Sequence, residues 1–248
     1  MEVKVIGCSN SWTDRPTSSY CINDSILVDC GEGSWKYYKK AKVDYLKIKH
    51  IFITHLHADH TFNLGHFYCW YARYDKNGQK KAVTIYGPKG LKEYLNYIKI
   101  VSIRDNCTFE DFFNIVEIED IKQVIEIENM KVQMNHFMHG DVDDIAYTFD
   151  DGKVKVGFSG DLNYQEGIQD FISKLDVVFL ECSNLTSSPV HLGYNDYINF
   201  QNNNKDKKFL AIHCGDAIYQ NEKELGITCA KHGRCYKFNS KKNSKKCS

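Results

Sequence analysis

Short apolar runs rich in β-branched and aromatic residues recur near 2–8, 19–22, 25–29, 49–54, 82–86, 122–136, 145–149, 153–159, 177–181 and 209–213, and predict strands. Turn-forming groups separate several of them: Asn23-Asp24, Gly31-Glu32-Gly33 and Asp150-Asp151-Gly152. Helical spacing appears near 60–74, 89–103, 108–113, 165–173 and 194–202. In the first of these helices Phe62, Leu64, Phe67, Trp70 and Tyr71 crowd one side, which reads as a core face. Strands come in runs with helices between them, and the two halves of the chain look alike. That pattern predicts two mixed sheets with helices outside, not one doubly wound parallel sheet.

A chain of 248 residues can bury a large core. No linker interrupts it, so one domain is expected over 1–238. The tail over 239–248 is rich in lysine, serine and asparagine and reads as solvated and frayed. Lysine plus arginine equals aspartate plus glutamate at 32 each. This argues against a dedicated nucleic-acid binder, although nucleic acid as a partner stays open. The segment from Met1 to Gly7 reads as a first strand, not an export signal, and no apolar run approaches the roughly 20 residues that span a bilayer. No membrane partner and a cytoplasmic location are therefore expected; a homodimer is compatible with the composition. Ten cysteines are scattered without any C-x-x-C, which in a reducing compartment reads as buried thiols.

The chemistry starts where the strand Ile51-Phe52-Ile53-Thr54 runs into His55-Leu56-His57-Ala58-Asp59-His60. In extended chain, side chains two apart share a face, so His55 and His57 point together while Leu56 turns to the core. Two imidazoles can hold one ion. A carboxylate and an imidazole just beyond can hold a second. This donor set suits zinc, with manganese or iron(II) as competitors.

One such motif fills only about half of two coordination shells. Asp161 follows a strong strand in Gly157-Phe158-Ser159-Gly160-Asp161, placed to bridge two cations. His213 ends the apolar strand Phe209-Leu210-Ala211-Ile212. For the remaining ligand both His136 and His139 are open; Gly140, which allows a close turn, favours His139. His50 reads as exposed and His66 as a packing residue. Cys229-Ala230-Lys231-His232-Gly233-Arg234-Cys235 reads as a hairpin, not a third metal site.

The order H-x-H-x-D-H, then His, Asp and His, resembles the metallo-β-lactamase superfamily, and Gly7 and Asp29 fit its pattern as well. The resemblance implies a four-layer αββα sandwich of the α/β (α+β) class, with the metals at one edge between the sheets. It implies one ion on His55, His57 and His139 and a second on Asp59, His60 and His213. Asp161 would bridge the two, and Asp29 would orient a ligand histidine. The family usually carries an aromatic residue eight positions after the third histidine; Tyr147 is eight after His139 and eleven after His136.

Within the superfamily, Tyr86-Gly87-Pro88-Lys89-Gly90 resembles a strand end of the ribonuclease Z-like branch. Glu181 and His191 match, by position, the pair that acts there as a proton relay. The long arm that grips transfer RNA has no counterpart here: only about 40 residues follow Gly90 before the strand leading to His139, and they read as helix and strand. The resemblance thus implies a zinc-dependent hydrolase delivering a hydroxide shared by two ions, with Asp59, Glu181 and His191 as catalytic residues. A small-molecule or nucleotide-type phosphodiester is the expected substrate. An ester, thioester or lactone hydrolase of the same superfamily is the alternative.

Overall fold

Alternation with a period of two sends Val3, Val5, Tyr20, Ile22 and Val28 to one side of a sheet and Ile6, Cys21 and Leu27 to the other. Both faces are covered, so the strands are apolar on both sides. The computed structural model of the chain describes residues 1–74, 82–102 and 107–239; the predicted tail lies almost wholly outside them.

The strands of the N-terminal half are β1 (Glu2–Gly7), β2 (Ser19–Ile22), β3 (Ile26–Val28), β4 (His50–Phe52), β5 (Val83–Gly87) and β6 (Phe113–Glu117). Those that follow are β7 (Ile125–Ile127), β8 (Met130–His139), β9 (Val142–Asp150), β10 (Lys155–Phe158), β11 (Val177–Glu181) and β12 (Lys208–Ile212), with β13 (Cys235–Lys237) last. One sheet has the order β13-β1-β2-β3-β4-β5-β6 and the other β12-β11-β10-β9-β8-β7. Between them lies a core that includes Phe52, Val132, Tyr147, Phe149, Phe158 and Phe179. The first sheet's outer face packs against α2 (Leu64–Tyr74) and α3 (Leu91–Ser102) through Leu64, Phe67, Leu91 and Leu95, with the short α1 (Ala58–Thr61) just before them. The second sheet's outer face packs against α4 (Ile168–Ser173), α5 (Tyr194–Asn203) and α6 (Asp216–Gln220). These are the four layers of an αββα sandwich.

Several expectations shift at element boundaries. The strand predicted over 122–136 is two strands, β7 and β8, reversed at Glu128 and Asn129, both at positive φ. The helix predicted over 108–113 shrinks to a turn at Phe109–Asp111 closed by a capping box from Thr108, and β6 starts directly after it. The helix predicted over 60–74 breaks before Leu64, where the Asn63 amide donates to Gly31 O and Ser34 Oγ. Phe62, assigned to that helix's core face, is exposed at 49%. The segment after Cys229 ends in β13, which pairs antiparallel with β1. Six cysteines, Cys8, Cys21, Cys30, Cys182, Cys214 and Cys229, are buried thiols. Among the described residues no helix is long and apolar enough to cross a membrane.

Candidate metal centre

Strand direction brings the predicted residues together. β10, β11 and β12 are mutually parallel, and β8 runs the same way because β9 is antiparallel to both β8 and β10. Their C-terminal ends therefore share one edge, and they carry Asp161, Glu181, His213 and His139. β3 and β4, parallel in the facing sheet, lead into Asp29 and His55. Tyr147 ties the halves together: its hydroxyl donates to Ile53 O at 2.8 Å, two residues before His55.

The backbone at this edge is strained. Asp29 and His213 both have positive φ, 58° and 54°, a conformation that costs a non-glycine residue about 1–3 kcal/mol and persists only where its surroundings enforce it. Gly160, at φ 64°, could not be replaced cheaply, because a Cβ there would meet Asp144 Oδ1 at 2.2 Å.

Two donor clusters result, one of His55, His57 and His139 and one of Asp59, His60, Asp161 and His213, each with its ligand atoms within 4.8 Å of one another. The clusters abut, with the His55 and His60 rings 4.1 Å apart at their centroids. Four histidines have Nδ1 engaged from behind. His60 Nδ1 lies 2.8 Å from Asp29 Oδ2, His55 Nδ1 3.1 Å from Asp144 Oδ1, His213 Nδ1 3.2 Å from Glu181 Oε1, and His139 Nδ1 2.6 Å from Val190 O. An N–H given to those acceptors leaves each Nε2 with a lone pair turned to the centre, which is how metal-binding histidines are oriented. His57 instead turns Nδ1 inward, 3.1 Å from His55 Nε2.

The fit to cations rests on the inward-facing atoms. His60 Nε2 and Asp161 Oδ1 are buried 3.3 Å from each other and neither makes a well-aligned hydrogen bond, which leaves both as candidate ligands for a cation. The electrostatics agree. Burial lowers the pKa of His213, but Asp161, Asp59 and Glu181 push it up to about 10; His60 is raised likewise by Asp161, Asp29 and Asp59 against its burial. Burial alone would raise Asp161, yet His213 and His60 hold it well below the usual carboxylate range. A site that grips protons this firmly is one whose carboxylates call for positive charge.

A third cluster adjoins the second: Asp161, Glu181, His191 and His213. Glu181 is fully buried; its Oε1 lies 2.5 Å from His191 Nδ1, and its Oε2 accepts the Leu162 N–H at 2.8 Å. His191 is partly open to a cleft of about 370 Å³ that reaches from Asn10, Ser11 and Trp12 to Asn184. A larger hollow of about 630 Å³ lies at the opposite strand ends, around Ser25, Lys47 and Glu128, away from the histidines; chemistry, not volume, picks the smaller one.

His136 is not at the centre. The alternation of β8 sends it to the face opposite His139, where it pairs with Asp143 at 2.7 Å, exposed. His66 is exposed and stacks on Trp35, while His50, expected to be exposed, opens β4 half-buried. Sequence reasoning missed two residues. Asp144, fully buried behind His55, was hidden in the acidic run Asp141-Val142-Asp143-Asp144, which reads as a turn. Ser11, whose Oγ donates to Asp59 Oδ2 at 2.7 Å, stands in a polar loop with no motif.

The family model of the anti-Pycsar protein Apyc1 matches residues 1–236. A ribonuclease Z of Prochlorococcus marinus (strain MIT 9301) is 34% identical over 112 residues, 44% of this chain and 34% of that protein. The chain spans between a third and a half of the length of the curated ribonucleases Z it matches. Among solved structures, the metallo-β-lactamase fold protein YhfI of Bacillus subtilis superposes with a TM-score of 0.78 at 20% identity, covering 95% of this chain and 98% of that one. A diphosphatase of the PhnP family superposes with a TM-score of 0.77 at 17% identity, over 96% and 98%. These superpositions speak for the metallo-β-lactamase fold.

Proposed function

The chain belongs to the Apyc1 family of anti-Pycsar proteins, on the ribonuclease Z-like branch of the metallo-β-lactamase superfamily, and from there we propose that it is a two-metal phosphodiesterase acting on a small, nucleotide-type phosphodiester. One observation carries the reading: the cluster of Asp59, His60, Asp161 and His213 abuts that of His55, His57 and His139, shares Asp161 and His213 with the Glu181-His191 cluster, and one cleft reaches residues of all three. His55, His57 and His139 would hold one ion, Asp59, His60 and His213 the second, with Asp161 between them. Zinc leads, with manganese or iron(II) as competitors. Bound there, two dications would supply a hydroxide at neutral pH and offset charge on the attacked phosphorus.

The chain's own residues do the rest. Asp29, Asp144, Glu181 and Val190 O fix the imidazoles. Asp59, which takes the Ser11 hydroxyl, faces the cleft beside the attack site. Burial lowers the pKa of His191, but the hydrogen bond it gives to the Glu181 carboxylate more than reverses this, so its pKa lies above that of a free histidine. An alkoxide leaving a phosphodiester needs a proton, whereas a thiolate needs it far less. The pair therefore favours phosphodiesters over thioesters.

Size points to a small substrate. The cleft is of the order that encloses a single small ligand. Between Gly90 and β8 the described residues form α3, the turn at Phe109–Asp111, β6 and β7, which supports a substrate smaller than transfer RNA. The deciding experiment is a turnover screen of the zinc-loaded protein on nucleotide phosphodiesters, thioesters and lactones. Brisk turnover of thioesters or lactones with none of any phosphodiester would put the alternative in its place.

A further inference from the structure

Trp12 is 91% exposed, and among the described residues no other large apolar side chain is so open. It also lines the metal cleft. At the lip of a cleft an exposed indole presents a large, rigid apolar plane that a ligand can cover. Its loop is not slack. Ser11 Oγ is tied to Asp59, the Trp12 N–H donates to Asn10 Oδ1 at 3.2 Å, and Thr13 Oγ1 accepts the Arg15 N–H at 3.2 Å. Arg15 is anchored in turn by Asp216 Oδ1 at 2.7 Å and Cys214 O at 2.9 Å, and lies over the Tyr219 ring. The loop that carries the indole is therefore fixed at the lip, with Trp12 one residue from Ser11, whose hydroxyl touches Asp59.

The same cleft offers amides beside this apolar plane. Asn10 and Asn184 both line it and both crowd Gly215, where a Cβ would meet Asn10 Nδ2 at 3.0 Å and Asn184 Oδ1 at 3.3 Å. A flat aromatic surface with amide groups nearby, a short reach from cation-binding carboxylates, matches the parts of a nucleotide: a base with a π-face and polar edges, joined to a phosphate. Building on the phosphodiesterase reading, we propose that Trp12 is the stacking platform for the substrate's nucleobase, and so a specificity-determining residue that favours nucleotide over simple alkyl phosphodiesters.

The test compares two diesters with the same nitrophenyl leaving group, thymidine 5′-(p-nitrophenyl) phosphate and methyl p-nitrophenyl phosphate. The ratio of their kcat/KM values isolates the nucleoside's contribution. Trp12→Ala should lower that ratio about 5- to 150-fold, the range of one base stack, and Trp12→Phe should recover much of it. A second readout does not need turnover. Thymidine 5′-monophosphate should quench the indole emission of the zinc-loaded protein, and Trp12→Phe should abolish the quench although Trp35 and Trp70 remain. An unchanged ratio in Trp12→Ala overturns the proposal, including the case where the variant instead alters self-association. If the wild type cleaves neither diester, the phosphodiesterase reading fails and the titration decides alone: a quench that survives Trp12→Phe overturns the stacking role, and one lost with Trp12 sustains it.

Discussion

Asp144 Oδ1 lies 3.1 Å from His55 Nδ1, with both side chains fully buried. Burial raises the pKa of Asp144 well above the ordinary carboxylate range, and repulsion from Asp161 and Asp29 raises it further. Its Oδ2 has no partner. A carboxyl placed at such cost behind a histidine fixes that ring's tautomer and direction. Asp144→Ala should therefore weaken metal binding about 10- to 100-fold, with Asp144→Asn, which keeps an acceptor, closer to wild type. Competition against a chelator of known affinity measures this; equal affinity in Asp144→Ala would show that His55 needs no support.

The two candidate histidines of β8 separate cleanly. His139→Ala should remove about one ion per chain by elemental analysis. His136→Ala should keep both ions and change stability by no more than about 0.5 kcal/mol, since its exposed pair with Asp143 contributes little. Loss of an ion from His136→Ala would move the ligand.

Strand ends were legible in the sequence because His55, Asp161 and His213 lie at or just beyond the ends of apolar runs, and such runs specify strands strongly. Period two also separated His55 and His57 from Leu56. What escaped was set by tertiary contact. Asp144 acquires its role only when β9 lies against β10 and brings it under Gly160. Ser11 and Trp12 reach the cleft through a loop whose course depends on Arg15 bonding Asp216, 201 positions away. Glu181 was paired with His191 alone, although its Oε1 is also 3.2 Å from His213 Nδ1. Nothing local to either residue records that second contact.

Without metal the centre stores protons, and this fixes a pH dependence. His213, His60 and His191 all have folded pKa values above the unfolded value of about 6.5. Groups raised on folding stabilise fully below the unfolded pKa, and the contribution is lost as pH rises through the folded one. His55 and His57, shifted down, act only below about 6.5. Buried thiols such as Cys8 and Cys30, pushed up to about 12, add their own loss only above about pH 8.5. Between these limits the raised histidines dominate. The metal-free protein should lose stability as pH rises through this window, with buried His213 contributing up to about 1.4 kcal/mol per pH unit, read as a falling Tm. Zinc, by replacing those protons, should flatten or reverse the slope. A metal-free Tm that rises across pH 6.5 to 8.5 would refute this account.

The last prediction concerns the proton donor. His191 Nδ1 sits 2.5 Å from Glu181 Oε1 and 3.8 Å from Asp161 Oδ2, so its ring belongs to the cleft edge of the centre but not to either metal cluster of histidines. Glu181→Gln is an ambiguous probe, because it also strips the support from His213. His191→Ala is cleaner and should keep both ions. Hydroxide formation does not need His191, whereas departure of a poor leaving group does. Removing a general acid typically costs about 10²–10⁴ in rate. On an alkyl phosphodiester His191→Ala should show that loss; on a nitrophenyl diester, whose leaving group departs without a proton, the loss should be far smaller. The wild-type rate on the alkyl substrate should also fall at alkaline pH, where His191 gives up its proton, at a value above that of a free histidine. His191→Ala should lack that limb. Metal content, both substrates and the pH profiles measured on the same preparations decide it: equal losses on the two leaving groups, or an alkaline limb that persists without His191, would exclude the residue as the acid.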